Sequence, residues 1–219
     1  MAKTAARRRS PARRKRPYHH GRLREALLEA AERMIEEDGP ESVTVREAAR
    51  RAGVSPGAPF RHFASRTALM TGVAERAMRR FLDEIERAEA AVDPADAGAR
   101  YAALGHAYLR WATRNPEPFR VLATRSLIDF EGSESLPGDN DRIRALMQEI
   151  VADGQARGQI RAADPAALEL AAKALSYGLA RMYVDGHFPQ WGVAEGEVPE
   201  AMRRVIDLFL ELLTPASRL

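Results

Sequence analysis

The stretch Thr44–Phe63, TVREAARRAGVSPGAPFRHF, decides the fold. Thr44-Val-Arg-Glu47 is a capping box, in which the hydroxyl and the carboxylate can each satisfy an orphan amide at a helix start. The helix it opens stops at Gly53, after barely two turns. Ser55-Pro56 then reads as an N-cap followed by the first helical position, where proline's missing amide costs nothing. Pro59 falls too deep for that, so the spacing predicts a third helix that starts irregularly and stays short. Helices this brief cannot hold alone and must lean on neighbours.

The neighbours are visible on both sides. Leu23, Leu27, Ala30, Met34 and Ile35 form the stripe of an amphipathic helix from Arg22 to Gly39-Pro40. Ser65 caps a long fourth helix that runs through Leu69, Val73, Ala77, Phe81 and Ile85 towards Ala90. After "AVDPADAG" come helical patterns near 96–114, 116–128, 141–157, 165–185 and 198–213. Alternating strand patterns and repeats of fixed period are absent, so the chain reads as all-α with about nine helices.

Two short helices joined by a glycine turn, the second presented to solvent, read as a helix-turn-helix; the other reading is a plain αα-hairpin carrying ordinary surface arginines. The first braces across the phosphate backbone and the second enters the major groove. Val45, Ala48, Ala49 and Val54 pack the pair together. Arg46, Arg50 and Arg51 lie outward, and Arg61, His62 and Arg66 gather at the far end. The amides near Thr44, Ser55 and Ser65 are natural phosphate sites.

Charge is distributed accordingly. Residues 1–16 carry a net +8, residues 17–80 a net +2 and residues 81–219 a net −7, within an overall +3 on 219 residues. A polyanion meets an attractive front and a repulsive rear. The tail MAKTAARRRSPARRKRP lacks apolar periodicity and is expected to be a disordered phosphate-binding arm, or else a solubiliser. Cysteine is absent, which excludes disulfides, thiol nucleophiles and zinc–thiolate sites. No run approaches the length of a membrane span, and no secretory segment precedes the first helix, so a cytoplasmic location is expected.

Catalytic and metal readings are weak. His19, His20, His62, His106 and His187 form no helical metal pair. Ser126, Ser133, Ser135 and Ser176 sit in no nucleophile context. An enzyme is not expected, nor any cofactor.

Tyr18–Val73 closely resembles the N-terminal domain of TetR/AcrR-type transcriptional regulators. The opening YHHG, the block VREAARRAGVS, RHF and the Ser-basic-x-x-Leu helix start carry the resemblance. YLRWATRNPEPFRVLATR and LSYGLARMYVDG resemble the central and late helices of the family's divergent rear domain. The resemblance implies a basic arm over 1–17, a DNA-binding domain over 18–80 and a ligand-binding and dimerisation domain over 81–219. Thr44 and Arg46 would touch phosphates of a double-stranded operator. Ser55, Pro56, Gly57, Ala58 and Pro59 would face the groove, and Arg61 and His62 would meet backbone or base edges. Arg66 stands where a phosphate-binding lysine is usual. Phe60 replaces the common tyrosine and lacks its hydroxyl.

In the rear domain Tyr101, His106, Tyr108, Trp111, Phe119, Met147, Tyr177 and Met182 are candidate walls of a small-molecule effector site, His106 and Tyr177 foremost. Any single one of them is more often core filler than ligand wall. The last two helices hold more small and apolar surface than one domain needs, from Ala166 to Leu179 and from Met202 to Leu213. That pattern fits a homodimer's four-helix interface. The expected function is a ligand-released repressor; the alternative is a ligand-independent architectural, nucleoid-type DNA binder.

Overall fold

The computed structural model describes residues 20–55 and 57–215, with side chains from residue 23 onward. Among these, every regular element is helical: α1 His20–Asp38, α2 Val45–Arg51, α3 Arg66–Glu89, α4 Ala97–Arg114, α5 Pro116–Ala123, α6 Leu136–Ala156, α7 Pro165–Val184 and α8 Val198–Leu213. The arm and Pro56 lie outside the described residues.

Side-chain caps open four of these helices, each by accepting an orphan amide. Thr44 accepts from Glu47 N at 3.1 Å, Ser65 from Ala68 N at 3.0 Å, Asp96 from Ala99 N at 2.8 Å and Asp164 from Ala166 N at 3.1 Å. The Thr44 capping box closes only halfway. Glu47 turns its carboxylate onto Arg50 at 2.5 and 2.8 Å and Arg51 at 3.1 Å, because two guanidinium forks hold it better than one amide.

Three expected boundaries move. The third helix is a single 3-10 turn, Pro59–Arg61, in keeping with a proline too deep to permit an α-helix. The helix after Pro116 ends at Ala123 and resumes only as a 3-10 turn, Arg125–Leu127. The next begins at Leu136, five residues before the expected 141, with Pro137 in its first turn. Ser133 Oγ makes that early start possible by accepting from the amides of Ser135 and Leu136 at 3.3 and 3.2 Å.

Helix α3 runs the length of one continuous core and crosses the expected domain boundary at 80/81 without a break. Its first half buries Leu69, Met70 and Val73 with Leu27, Leu28 and Met34 of α1, Val43, Ala48 of α2 and Phe63. Its second half buries Phe81 and Ile85 among α4, α5 and α6. There Phe81 meets Tyr108 edge-on at 5.2 Å and Trp111 at 5.0 Å between ring centres. One continuous helix therefore carries the short-helix pair at one end and walls the rear domain at the other.

Candidate functional site

The turn between α2 and α3 is fixed from both ends. Gly53, at φ 69°, takes the left-handed conformation that ends α2. Val54 N reaches Ala49 O at 3.0 Å and Gly53 N reaches Arg50 O at 3.1 Å, the paired bonds of a Schellman ending. At the other end Phe63 is buried, and the Arg24 guanidinium lies 5.5 Å from its ring centre. Gly72 leaves room for that ring: a methyl group there would stand 3.1 Å from Phe63 Cε1 and 2.9 Å from Leu28 Cδ2.

The candidate side chains in and around this turn differ in exposure. Thr44, Arg46, Ser55, Gly57, Phe60 and Arg61 are exposed, forming one basic, solvent-facing edge. Ala58 and His62 are half-buried. Pro59 does not face outward: it is buried at the base of the turn, where its carbonyl accepts from His62 N at 2.8 Å and Phe63 N at 2.9 Å. Arg66 also departs from a simple surface cation. Its Nε donates to Val43 O at 2.9 Å and its Nη2 to Pro40 O at 2.8 Å, so the guanidinium buttresses the loop before α2. Arg51 is similarly drawn inward by Glu37, Asp38 and Glu47. Arg46 and Arg61 are left as the cations of this edge that make no ion pair with the described residues.

Behind this edge α3, α4, α6, α7 and α8 line a half-open cavity of about 410 Å³. Its walls are mostly apolar, among them Met78, Phe81, Leu104, Met147 and Phe209. Of the eight aromatic, histidine and methionine candidates, Tyr101, Tyr108 and Met147 line it. Tyr101 donates to Leu168 O at 3.3 Å, and burial pushes its phenol up to about 12. Burial raises the Tyr108 phenol as well, so both hydroxyls keep their protons at neutral pH.

The other five lie elsewhere. Trp111 and Phe119 are core side chains, and Met182 packs against the core from partial burial. Tyr177 is partly exposed, its ring 6.1 Å from that of Phe119. His106 faces α8 instead, with Nε2 2.8 Å from Asp207 Oδ1. Tyr108 and Trp111, three positions apart on α4, share a helix face and both meet Phe81, yet only Tyr108 reaches the hollow, a difference that helical spacing does not encode.

The cavity also has polar walls that the sequence reading passed over: Lys173, Glu169 and Ser176 of α7, with Asn140 and Arg144 of α6. Glu169 and Lys173, one turn apart in the apolar run AALELAAKALSYG, were the available signal. Arg144 donates to Glu169 at 2.7 Å and holds its carboxyl below the usual carboxylate range, with Gln148 adding a bond at 2.8 Å.

Known proteins share this fold. Residues 27–73 match the family model of bacterial regulatory proteins of the tetR family, and residues 101–209 match the tetracyclin repressor-like C-terminal domain. A protein of unknown function from Rhodococcus sp. RHA1 is 32% identical, superposes with a TM-score of 0.76, and is matched over 92% of this chain and 100% of its own. The TetR family transcriptional regulator PfmR of Thermus thermophilus shares the fold, at 22% identity and a TM-score of 0.65, over 84% of this chain and 97% of that one. The nucleoid occlusion factor SlmA of Vibrio campbellii is 32% identical over 128 residues, 58% of this chain; the match spans 62% of that relative's length. With both halves matched in order on one continuous helical frame, the chain belongs to the TetR family of helix-turn-helix DNA-binding transcription regulators.

Proposed function

We propose that the protein is a homodimeric repressor, acting in the cytoplasm, that leaves its operator when a small hydrophobic effector enters the rear cavity. The observation that carries this reading is the shared helix. Met78, Phe81 and Ile85 of α3 line the cavity, while Gly72 of the same helix packs against Phe63 of the DNA-reading turn. A wedge in the cavity tilts α3 and moves that turn. In a dimer, the two turns must stay about one DNA repeat apart, roughly 34–36 Å, to read paired half-sites. Leu170 both lines the cavity and stands 70% exposed on α7, which supports an effector site beside the apolar face proposed for the second copy.

The test is reciprocal coupling. Operator fragments selected from genomic DNA are titrated with protein while hydrophobic metabolites are screened for release. Any true effector must bind more weakly in the presence of operator by the factor it takes from operator affinity. A compound bound equally with and without operator is no effector. The second reading, a ligand-independent nucleoid-type binder, draws on the similarity to the nucleoid occlusion factor. It predicts operator binding that no cavity ligand alters.

A further inference from the structure

The cavity's charge is not balanced. Glu169 is the carboxylate in its wall, and both of its oxygens are already engaged, one by Arg144 and one by Gln148. Lys173, one turn further along α7, makes no ion pair with the described residues. Its Nζ rests 3.5 Å from Tyr108 Oη, 4.8 Å from the centre of the Tyr108 ring and 5.9 Å from that of Tyr177. Water reaches the side chain, yet surrounding protein desolvates the ammonium and Arg125 adds like charge, and both lower its pKa. Aromatic faces attract a cation but do not neutralise it. An anion placed there removes the imbalance.

We infer that the cavity takes an amphiphile with a single carboxylate, its head group received by Lys173 Nζ and Tyr108 Oη and its apolar body lying against Met78, Phe81 and Met147. This rests on the effector reading above and assigns the effector's chemical class. The two donors lie on different helices, α7 and α4, so one carboxylate oxygen for each fits their 3.5 Å separation. The Tyr108 phenol keeps its proton and donates it; the ammonium supplies the charge. An ammonium head is repelled by Lys173, and an alcohol leaves the lysine uncompensated.

The experiment compares three probes with one chain and different heads: decanoate, 1-decanol and decylamine. Trp191→Phe removes the exposed tryptophan, leaving Trp111, packed against Phe81, to report cavity occupancy by fluorescence. Decanoate is expected to bind roughly ten- to a hundredfold more tightly than 1-decanol, and decylamine most weakly. Lys173→Met should erase the preference for decanoate while leaving 1-decanol affinity in place, and Lys173→Arg should keep it. Equal binding of decanoate and decanol, or a preference that survives Lys173→Met, overturns the head-group assignment and leaves the effector cavity standing. Failure of all three probes to bind, with no thermal shift, overturns both.

Discussion

Arg66 Nε donates to the backbone carbonyl of Val43 at 2.9 Å, tying the first residue of α3 to the loop that precedes α2. A second bond, from Nη2 to Pro40 O at 2.8 Å, uses the planar fork that only arginine offers. Arg66→Ala is therefore expected to lower stability by about 1–2 kcal/mol, a value discounted for partial exposure. It should weaken binding to every DNA sequence alike by loosening the α2–α3 frame. Arg66→Lys should recover only part of the stability. Urea unfolding checks both, and an unchanged midpoint in Arg66→Ala would show the guanidinium is idle.

Arg61 is the contrasting case, since its side chain is exposed and outside the packed frame. Arg61→Ala should leave the unfolding midpoint in place. If Arg61 reads a base edge, specificity at one operator position should relax by about 1–3 kcal/mol. Phe60, 48% exposed beside it, supplies the converse test, a substitution that adds a donor. Phe60→Tyr should tighten binding to operator and random DNA equally, because a phenol reaching a phosphate adds affinity without sequence information. Uniform weakening by Arg61→Ala on all sequences would reassign it to the backbone.

Much of this site was legible because its chemistry is local. The Thr44 and Ser65 caps, the Gly53 ending and the α1 stripe each declare themselves within a few residues, and the helices formed where those signals lay. Pro59 announced an irregular third helix, although how far it shrinks depends on Phe63 being drawn into the α1–α3 core. The sequence reads Arg66 as a phosphate contact and Arg51 as outward-facing, since the carbonyls of Pro40 and Val43 and the carboxylates of Glu37 and Asp38 come near only after folding. The cavity was the least legible part. Tyr108 and Phe119 stand on adjacent helices with rings 6.3 Å apart, yet only Tyr108 lines the hollow, because five helices together decide where the hollow is.

Glu47 gives α2 an acid-sensitive brace. Hydrogen bonds from Arg50, and then Arg51, hold its carboxyl at about 2, well below its ordinary 4.5. A depressed carboxyl contributes stability that is complete above pH 4.5 and is lost as pH falls through about 2. Between those values wild type should lose thermal stability more steeply than Glu47→Gln, whose amide does not titrate. The comparison is read from melting curves at stepped pH. Parallel slopes would mean that the exposed pair is screened by solvent to nothing.

The basic arm, residues 1–16, should act through counterions alone. Deleting it is expected to weaken binding to operator and random DNA together. The log–log salt slope should flatten by roughly 0.9 for each phosphate that the arm had neutralised. Salt titrations of full-length and shortened protein decide it. An unchanged slope would make the arm a solubiliser.

The apolar face of α7 and α8 sets the last prediction. Met202, Ile206 and Leu213 point into the core of α8's own chain, whereas Leu208 and Leu212 are 56% and 62% exposed. Helix α7 presents Leu170, 70% exposed, along a run of exposed small residues at 167, 171 and 174. Covering one leucine is worth about 1.5–3 kcal/mol, and a two-fold interface buries each position twice. Leu208→Glu should therefore weaken self-association by about 3–6 kcal/mol, a factor of roughly 10² to 10⁴. The fold itself should survive, because the side chain lies outside the packed core. Sedimentation should show monomers at micromolar concentration. Operator affinity should fall because a monomer reads only one half-site, while arm-driven binding to random DNA changes less. A Leu208→Glu protein that still sediments as a dimer would place the interface on another face, and with it the spacing of the two DNA-reading turns.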